Sequence, residues 1–359
     1  MAEHAAEYEW RGEGEDSEII LYAPDDSAFE RALPAARLPG VRSPVYAAAS
    51  PEGLGWVAAS ATHAAPDLLS APRRGLLLAA DTTAEHSSIE PRELTNRLLR
   101  DLPEAGLRLP RPNEAGVARI CEVGASAAAE DGLIEEEDLA FFETRPGDGD
   151  ALGRRALAAG PAGWEAPVAP ILRVVAGVLE AEGAESLGLQ TGVLVLIVEV
   201  GAGELGRLAL AAHRERIMGR IWSRDFGAGP DLPAAPAGTE EAADLVAALN
   251  ATANFADTRA ARTLWMLRRS LREVTGRLEI RAAWTLGGIE EQNGLMVHRK
   301  DLASAGDGEA LVSGGYAAVG KGKMWASAPP FGVSEEEGRW PWEEAGLMER
   351  WAELGLPGG

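Results

Sequence analysis

The chain has 359 residues, of which 46% are hydrophobic, and a formal net charge of −22. This length and apolar content predict a globular core, whereas the acidic surface argues against general nucleic-acid or membrane binding, because it repels polyanions. Any anion site must therefore be local. The single cysteine excludes internal disulfides and a cysteine zinc cluster, and it favours a cytoplasmic location.

The N-terminal third predicts short strands after an acidic tail. Residues 1–17, MAEHAAEYEWRGEGEDS, lack the basic and apolar regions of a secretory signal, and their acidity predicts a solvated tail. Apolar runs bounded by Pro or Gly predict strands at EIILYAP, GLGWVAASAT and RRGLLLAADT. Residues 88–103 predict an amphipathic helix, because leucines recur at helical spacing behind a proline. The Pro-, Gly- and acid-rich residues 103–149 predict a loop around one short helix in IEEEDLAFFE.

The middle of the chain predicts one buried strand between helices. Residues 168–183 predict a helix with Pro170 in its first turn. Residues 192–200, GVLVLIVEV, form an apolar run bounded by glycines, which predicts a strand buried on both faces. With its flanks this run is about half of the roughly 20 residues that a membrane span needs. Residues 207–220 predict a helix, and residues 240–275 predict a long helix with Thr239 as its N-cap.

The C-terminal part predicts two strands, at residues 278–285 and 295–299, followed by a Gly-rich turn in LVSGGYAAVGKG. Neither an internal repeat nor a linker divides the chain. We therefore predict a single α+β domain from residue 18 to residue 330, with β-sheets packed against long helices. The acidic residues 1–17 and the Trp-rich residues 331–359 are predicted tails.

All three lysines of this acidic chain lie in one short C-terminal window, next to a histidine and an arginine. Cations beside the backbone N–H groups of a Gly-rich turn form a concavity suited to phosphate. The window therefore predicts an anion, nucleotide or RNA-end site made of His298, Arg299, Lys300, Ser313, Gly314, Gly315, Lys321 and Lys323. The alternative is that Arg299 pairs with a carboxylate and the lysines are solvated on a hairpin.

Few other side chains suggest chemistry. No two of the five histidines stand at a metal-ligand spacing, and His213 is predicted to lie on the surface of a helix. Cys121 is predicted to be a small buried hydrophobe. Glu290 and Glu291 are adjacent on a predicted strand, so they point to opposite faces and do not converge as an acid and base pair.

Several motifs resemble those of the RtcB family of RNA ligases. ANFA at 253–256 resembles the Ala-Asn-Tyr-Ala core of a family helix, and IEE at 289–291 resembles Val-Glu-Glu-His. VHRK at 297–300 matches the start of Val-His-Arg-Lys-Gly-Ala-Thr, and SGG at 313–315 resembles Pro-Gly-Ser-Met-Gly. Earlier in the chain, SPEGLGWVAAS is similar to the family's Pro-Asp-Val-His-x-Gly turn, and residues 75–81 lie where the family has its Asp-Ile-Gly-Cys-Gly metal loop.

The resemblance implies an RtcB-like fold. Family members join an RNA 2',3'-cyclic phosphate or 3'-phosphate to a 5'-hydroxyl in tRNA splicing and RNA repair, using GTP and manganese. They hold the metal through an aspartate, a cysteine and three histidines, and they form a GMP adduct on a further histidine. The C-terminal segment of this chain has no histidine for that adduct. The positions that match the metal ligands are Leu77, Ala80, Leu194, Glu199 and Trp284.

The resemblance therefore implies a non-catalytic paralogue, a pseudoenzyme without metal or GTP as cofactor. Such a protein binds an RNA 3' end or a nucleotide, or partners an active RtcB-type ligase, and Trp284 fills the former metal pocket. One alternative is an active enzyme with a rebuilt metal site that uses Glu199, Glu290 or Glu291 with one of the remaining histidines. Another is an acidic protein that binds other proteins through its Trp-rich tail.

Overall fold

The described part of the chain forms an α+β fold, in which helices pack on one large, mainly antiparallel sheet. No helix in this part is long and apolar enough to cross a membrane. The structure is a computed structural model, and it describes residues 8–13, 18–23, 26–50, 53–83, 101, 110–161, 164, 171–174, 190, 193–223, 226, 231–305, 309–312, 317–320 and 323–326.

Most of the described strands join the large sheet. They are β1 Tyr8–Glu13, β2 Glu18–Ala23, β3 Val41–Ser50, β4 Gly53–Ser60, β5 His63–Ala64, β6 Arg73–Thr83, β7 Ile171–Val174, β8 Val193–Gly201, β9 Ala235–Pro236, β10 Leu278–Gln292, β11 Leu295–Ala305, β12 Glu309–Val312, β13 Ala317–Gly320 and β14 Lys323–Ala326. The sheet order is β1-β2-β3-β4-β11-β10-β6-β8-β7, and β12 to β14 continue from β11 as a meander. β2 and β3 pair in parallel, whereas β5 and β9 form a separate small sheet.

The described helices differ widely in length. They are α1 Asp26–Ala36, α2 Glu114–Val123, α3 Ala125–Glu130, α4 Arg154–Ala159, α5 Glu204–Trp222 and α6 Glu240–Thr275, with 3-10 helices at Pro66–Leu68, Glu136–Phe141 and Asp150–Leu152. α1 connects the parallel strands β2 and β3 and packs on the β2–β4 end of the sheet. α6 is much the longest and organises the rest of the fold.

α6 lies between the sheet and the other helices. Apolar side chains on one side of the helix pack against the central strands β6, β8 and β10, whereas α2 and α5 cover another side. A helix that is buried on most sides is apolar around most of its circumference, as the many buried alanines and leucines of α6 are. The fold therefore places any polar residue in the middle of α6 inside the protein.

The predicted boundaries of α6 are confirmed. The Thr239 hydroxyl accepts a hydrogen bond from the Ala242 N–H, and two glutamates follow in the first turn, where the helix dipole favours negative charge. The helix ends at Thr275, and the C-cap Gly276 has a φ of 65°, which suits glycine. The strands predicted around EIILYAP, GLGWVAASAT and RRGLLLAADT are also confirmed, as is the helix predicted at 207–220. β8 is buried on both faces along nearly its whole length.

Three predictions in the first half of the chain are wrong at the described residues. Tyr8–Glu13 forms a strand antiparallel to β2, although residues 1–17 were expected to be a tail. The region predicted as a loop, 103–149, contains α2 and α3, while its one predicted short helix is the 3-10 helix Glu136–Phe141. Ile171–Val174 pairs with β8 as a strand where a helix was expected. The helix predicted at 88–103 lies outside the described residues except for residue 101.

The C-terminal strands are longer than predicted. β10 continues past Gly287 and Gly288, whose positive φ angles of 73° and 87° let a bulge bend the strand without ending it. Asn293 and Gly294, with φ angles of 51° and 77°, then form a two-residue turn into β11, which is the backbone that an Asn-Gly pair favours in a hairpin. Ala317–Gly320 is a strand inside the predicted Gly-rich turn. The predicted tail at 331–359 lies outside the described residues.

Candidate functional site

The predicted basic site begins with His298, and this side chain is enclosed in the protein. His298 is fully buried on β11; its Nε2 accepts a hydrogen bond of 3.0 Å from the Ala65 N–H, and its Nδ1 lies 2.9 Å from the Met296 carbonyl oxygen. These contacts require the neutral tautomer with its proton on Nδ1. Burial lowers the pKa of His298 to about 4. The expectation that His298 binds an anion is therefore wrong, because the imidazole is neutral and both nitrogens have partners.

Arg299 is an internal ion-pair partner. It is only 7% exposed, and its Nη2 donates to Glu290 Oε2 on the neighbouring strand at 2.8 Å. One part of the alternative interpretation, that Arg299 pairs with a carboxylate, is therefore confirmed. Lys300 is half-buried, and its ammonium nitrogen lies 4.4 Å from the ring centroid of Trp56 on β4. The triplet therefore packs into the sheet and does not present three cations to a ligand.

The rest of the predicted basic site falls largely outside the described residues. Ser313, Gly314, Gly315 and Lys321 all lie there, and only the backbone of Lys323 is described, at the start of β14. β12, β13 and β14 form an antiparallel meander that extends from residues 302–305 of β11, so two strands separate β14 from β11. Whether the lysines of this window share a ligand stays a prediction.

The positions that match the family's metal ligands do not share one face of the sheet. Ala80 and Leu194 belong to the core under α6, together with Leu76 and Leu78. Leu77 lies between these two leucines on β6 and therefore points to the opposite face. All of these side chains are buried and apolar. They do not fit a divalent metal, which needs oxygen, nitrogen or sulfur ligands that converge.

Trp284 occupies the face that Leu77 also uses. It is 4% exposed and pairs with Gly75, where a Cβ atom would lie only 2.0 Å from Trp284 Cε2. The glycine therefore provides the space that the indole fills. Glu199 pairs with Gly75 from the other side, on β8, and it is half-buried.

The predictions for Cys121, Glu290 and Glu291 agree with the structure, whereas the prediction for His213 does not. Cys121 is buried as predicted, and burial raises the pKa of its thiol to about 12. His213 is also buried, with its Nε2 2.9 Å from the Ala151 carbonyl oxygen, so its predicted surface position is wrong. Burial lowers the pKa of His213. Glu290 and Glu291 occupy consecutive positions of β10 opposite β11, so they point to opposite faces, as predicted.

A buried polar cluster joins the middle of α6 to the sheet. Asp257 on α6 accepts two hydrogen bonds from Arg74 on β6, and Arg145 Nη1 lies 3.6 Å from the same carboxylate. Arg145 Nη2 also donates to Thr285 on β10 at 2.9 Å. Burial lowers the pKa of the Arg145 guanidinium, an effect that Asp257 opposes. We call Arg74, Arg145, Asp257 and Thr285 the Asp257 cluster; its groups bond to one another, so it holds the fold together.

Asn254, one turn before Asp257, ties two segments to α6. Its Nδ2 donates to the carbonyl oxygens of Cys121 and Arg145 at 2.7 and 2.8 Å, and its Oδ1 accepts from the Arg145 N–H at 3.0 Å. Asn254 is fully buried, so each of these hydrogen bonds replaces one to water. The ANFA motif therefore places a structural amide here, at the end of α2 and beside the segment that carries Arg145.

An arginine-lined cavity lies at the C-terminal end of α6. Its volume is about 950 Å³, and its lining includes Trp265, Arg268, Arg269, Arg272, Arg277 and Glu135. Arg268 is held by Asp138 through hydrogen bonds of 2.5 and 2.9 Å, and Arg277 pairs with Glu135 at 3.1 Å. Arg269 and Arg272 are exposed, and neither forms an ion pair with a described carboxylate. We call this feature the arginine cavity.

Sequence reasoning missed the arginine cavity, although a signal for it exists. MLRRSLREVTGR places three arginines in the last turns of α6 and a fourth just beyond Gly276. Spacings of three and four residues put such side chains on one face of a helix. The three lysines drew attention to another window, yet arginines carry most of the positive charge of this chain. Among the described residues of the predicted basic site, His298, Arg299 and Lys300 do not line the arginine cavity.

Comparisons with known proteins add no family assignment. A scan against protein-family models and a search of curated proteins found no match to this chain. Within the described residues, no group of three or more His, Cys, Asp or Glu side chains is arranged to hold a metal ion.

Proposed function

We propose that this protein is a non-catalytic relative of the RtcB RNA ligases, which binds a phosphorylated ligand such as a nucleotide or an RNA 3' end without joining RNA. The motif resemblance from residue 253 to residue 315 suggests the ancestry. The replacement of the metal ligands suggests that the ligation chemistry has been lost.

One observation carries this proposal. The positions that match the family's metal ligands include Leu77, Ala80, Leu194 and Trp284, all of them buried and apolar. Two of them belong to the core under α6, and the indole of Trp284 fills the space above Gly75. Restoring a metal site would require new ligands and the removal of packed core volume, which costs several kcal/mol for each large side chain.

The test is a direct assay for the family chemistry. The purified full chain is incubated with GTP and Mn²⁺ and analysed by intact mass spectrometry for a covalent GMP adduct. In parallel it is offered RNA with a 3'-phosphate or 2',3'-cyclic phosphate end and RNA with a 5'-hydroxyl end. We expect neither an adduct nor joined RNA, while an active RtcB-type ligase under the same conditions gives both.

A binding measurement distinguishes an inactive ligase relative that still binds its ligand from an unrelated protein. GTP and 3'-phosphate RNA are titrated by calorimetry at low salt without metal, and we expect measurable binding of at least one of them. A GMP adduct or joined RNA would overturn the loss of catalysis. Absence of binding to both ligands would overturn the binding role, and stoichiometric divalent metal in the purified protein would favour the rebuilt site that includes Glu199.

A further inference from the structure

The arginine cavity concentrates positive charge in a strongly acidic protein. Four of its eight described lining residues are arginines and one is a glutamate, whereas the whole chain has a formal charge of −22. A concave wall of low dielectric focuses the field of such a cluster and raises the local concentration of anions. The lining residues of the cavity therefore carry a positive formal charge, whereas the protein as a whole is negatively charged.

The cluster contains fixed and free arginines. Both Nη atoms of Arg268 donate hydrogen bonds to the Asp138 carboxylate, and the Nε of Arg268 donates to the Leu278 carbonyl oxygen at 2.9 Å. This arginine is therefore rigid. Arg269 and Arg272 have no described carboxylate partner, so their donors are available to a ligand. A site with both a fixed cation and free donors is better prepared for an anion than a set of solvated arginines.

The helix dipole accounts for only part of this charge. Cations gather near helix C-termini because the last carbonyl groups carry a partial charge equivalent to about half an electron. Arg272 lies in the last turn of α6, where its positive charge interacts favourably with these carbonyl groups. Arg277 is neutralised by Glu135 and Glu279, which lie 3.1 and 3.7 Å from it, whereas Arg269 exceeds what the dipole requires. The surplus is the charge that a bound anion would neutralise.

The size and the aromatic wall of the cavity indicate the class of ligand. A volume of about 950 Å³ lies at the upper end of the range for small-molecule sites. Trp265 lines the cavity, and the guanidinium carbon of Arg269 lies 5.5 Å from its ring centroid. Arginine forks bind phosphate in a bidentate manner, and the planar indole and guanidinium suit stacking on a base.

We propose that the arginine cavity binds a nucleoside polyphosphate, with its phosphates held by Arg268, Arg269 and Arg272 beside Trp265. This inference names the ligand and location for the proposed binding role and rests on that role. The cavity does not depend on the motif resemblance, because its described lining contains no residue of the matched motifs.

The test uses the full chain with ATP, GTP, tripolyphosphate and adenosine as probes, titrated by calorimetry at low salt and again at high salt. We expect both nucleotides to bind, tripolyphosphate to bind more weakly, and adenosine not to bind measurably. Affinity should fall as salt increases, because charged contacts dominate. Arg269→Gln together with Arg272→Gln should weaken ATP binding about a hundredfold, at roughly tenfold for each lost charge-assisted contact.

The matched control is Arg154→Gln with Arg155→Gln. These exposed arginines begin α4 and cause the same change in net charge. Asp148, a few residues before them, donates its N–H to the Ala247 carbonyl oxygen of α6, which is roughly 30 Å along the helix from Arg268. We expect the control to bind ATP within about twofold of the wild type. Equal weakening in both variants, or no binding of any phosphate probe, would overturn the inference, and neither result depends on whether the protein ligates RNA.

Discussion

Arg74 on β6 and Asp257 on α6 form a buried, two-pronged ion pair, with Nε to Oδ1 at 2.6 Å and Nη2 to Oδ2 at 2.8 Å. The residues are 4% and 1% exposed. The pair connects the central sheet to the helix that organises the fold. Arg145 approaches the same carboxylate, so one negative charge faces two guanidinium groups in the interior.

Removing either partner of this pair should destabilise the fold strongly. We expect Arg74→Met to lower the free energy of unfolding by about 3 kcal/mol, because it leaves a buried carboxylate with less compensation. Asp257→Asn should cost more, since it leaves the buried Arg74 without a counter-charge and leaves Arg145 with Glu143 as its ion-pair partner. Urea unfolding followed by circular dichroism measures both effects.

A double variant distinguishes pairing from simple loss of packing. Arg74→Met with Asp257→Leu should cost less than the sum of the single changes, because no unpaired charge from the pair remains. The exposed pair of Glu204 and Arg207 on α5 serves as control, and removing its charges should leave the free energy of unfolding almost unchanged. Strict additivity at the buried pair would contradict the interpretation.

Gly75 and Trp284 should behave as a size-matched pair. A Cβ on Gly75 would lie 2.0 Å from the indole, so Gly75→Ala should destabilise the fold by about 1–3 kcal/mol through overpacking. Trp284→Leu alone should cost about 3 kcal/mol because it leaves a cavity. The two changes together should cost clearly less than their sum, since the added methyl group enters the vacated space. Additive losses in urea unfolding would show that the two positions do not share this space.

Local patterns in the sequence were enough to predict part of the fold. Thr239 followed by two glutamates predicted the start of α6, and the apolar run of β8 predicted a strand with two covered faces. YEWRGE, residues 8–13, also alternates aromatic with charged residues like a strand, but the acidity around it favoured the prediction of a tail. The α2 and α3 segments are rich in alanine, and the nearby Pro and Gly residues obscured their helical character.

The contacts that define the sites depend on distant parts of the chain. Arg74 and Asp257 are 183 residues apart, and Arg145 and Thr285 are 140 residues apart. No local periodicity links such positions, so the buried charges of the Asp257 cluster were not predictable. The basic triplet was misjudged for a related reason. Its composition indicated an exposed cationic site, whereas its position on a central strand between β4 and β10 decided its burial.

Cys121 should resist thiol reagents in the folded protein. Burial raises its pKa to about 12, so at pH 8 only about one molecule in ten thousand carries a thiolate. Reaction with a disulfide reagent should therefore be slow in buffer and rapid in urea, where one thiol per chain becomes accessible. The rate should increase with denaturant in parallel with unfolding. Fast, complete labelling without denaturant would show that α2 opens locally.

His298 should make stability depend on pH in acid. Its pKa is about 4 in the folded protein and about 6.5 in the unfolded chain, so between these values only the unfolded chain binds the proton. The free energy of unfolding should therefore fall as pH decreases from 6.5 to 4, by about 3 kcal/mol from this residue, and be independent of this residue above pH 6.5. Urea unfolding at several pH values measures the slope.

His298→Leu removes this titration and isolates the contribution of the imidazole. The variant should be less stable at neutral pH, because the Ala65 N–H loses its acceptor. Its stability should nevertheless depend less on pH between 6.5 and 4 than that of the wild type. Some dependence should remain, since burial also lowers the pKa of His213 and gives a slope of the same sign. An unchanged slope in the variant would mean that His298 is protonated inside the fold, and the hydrogen bond from Ala65 would then be impossible, because a protonated Nε2 cannot accept.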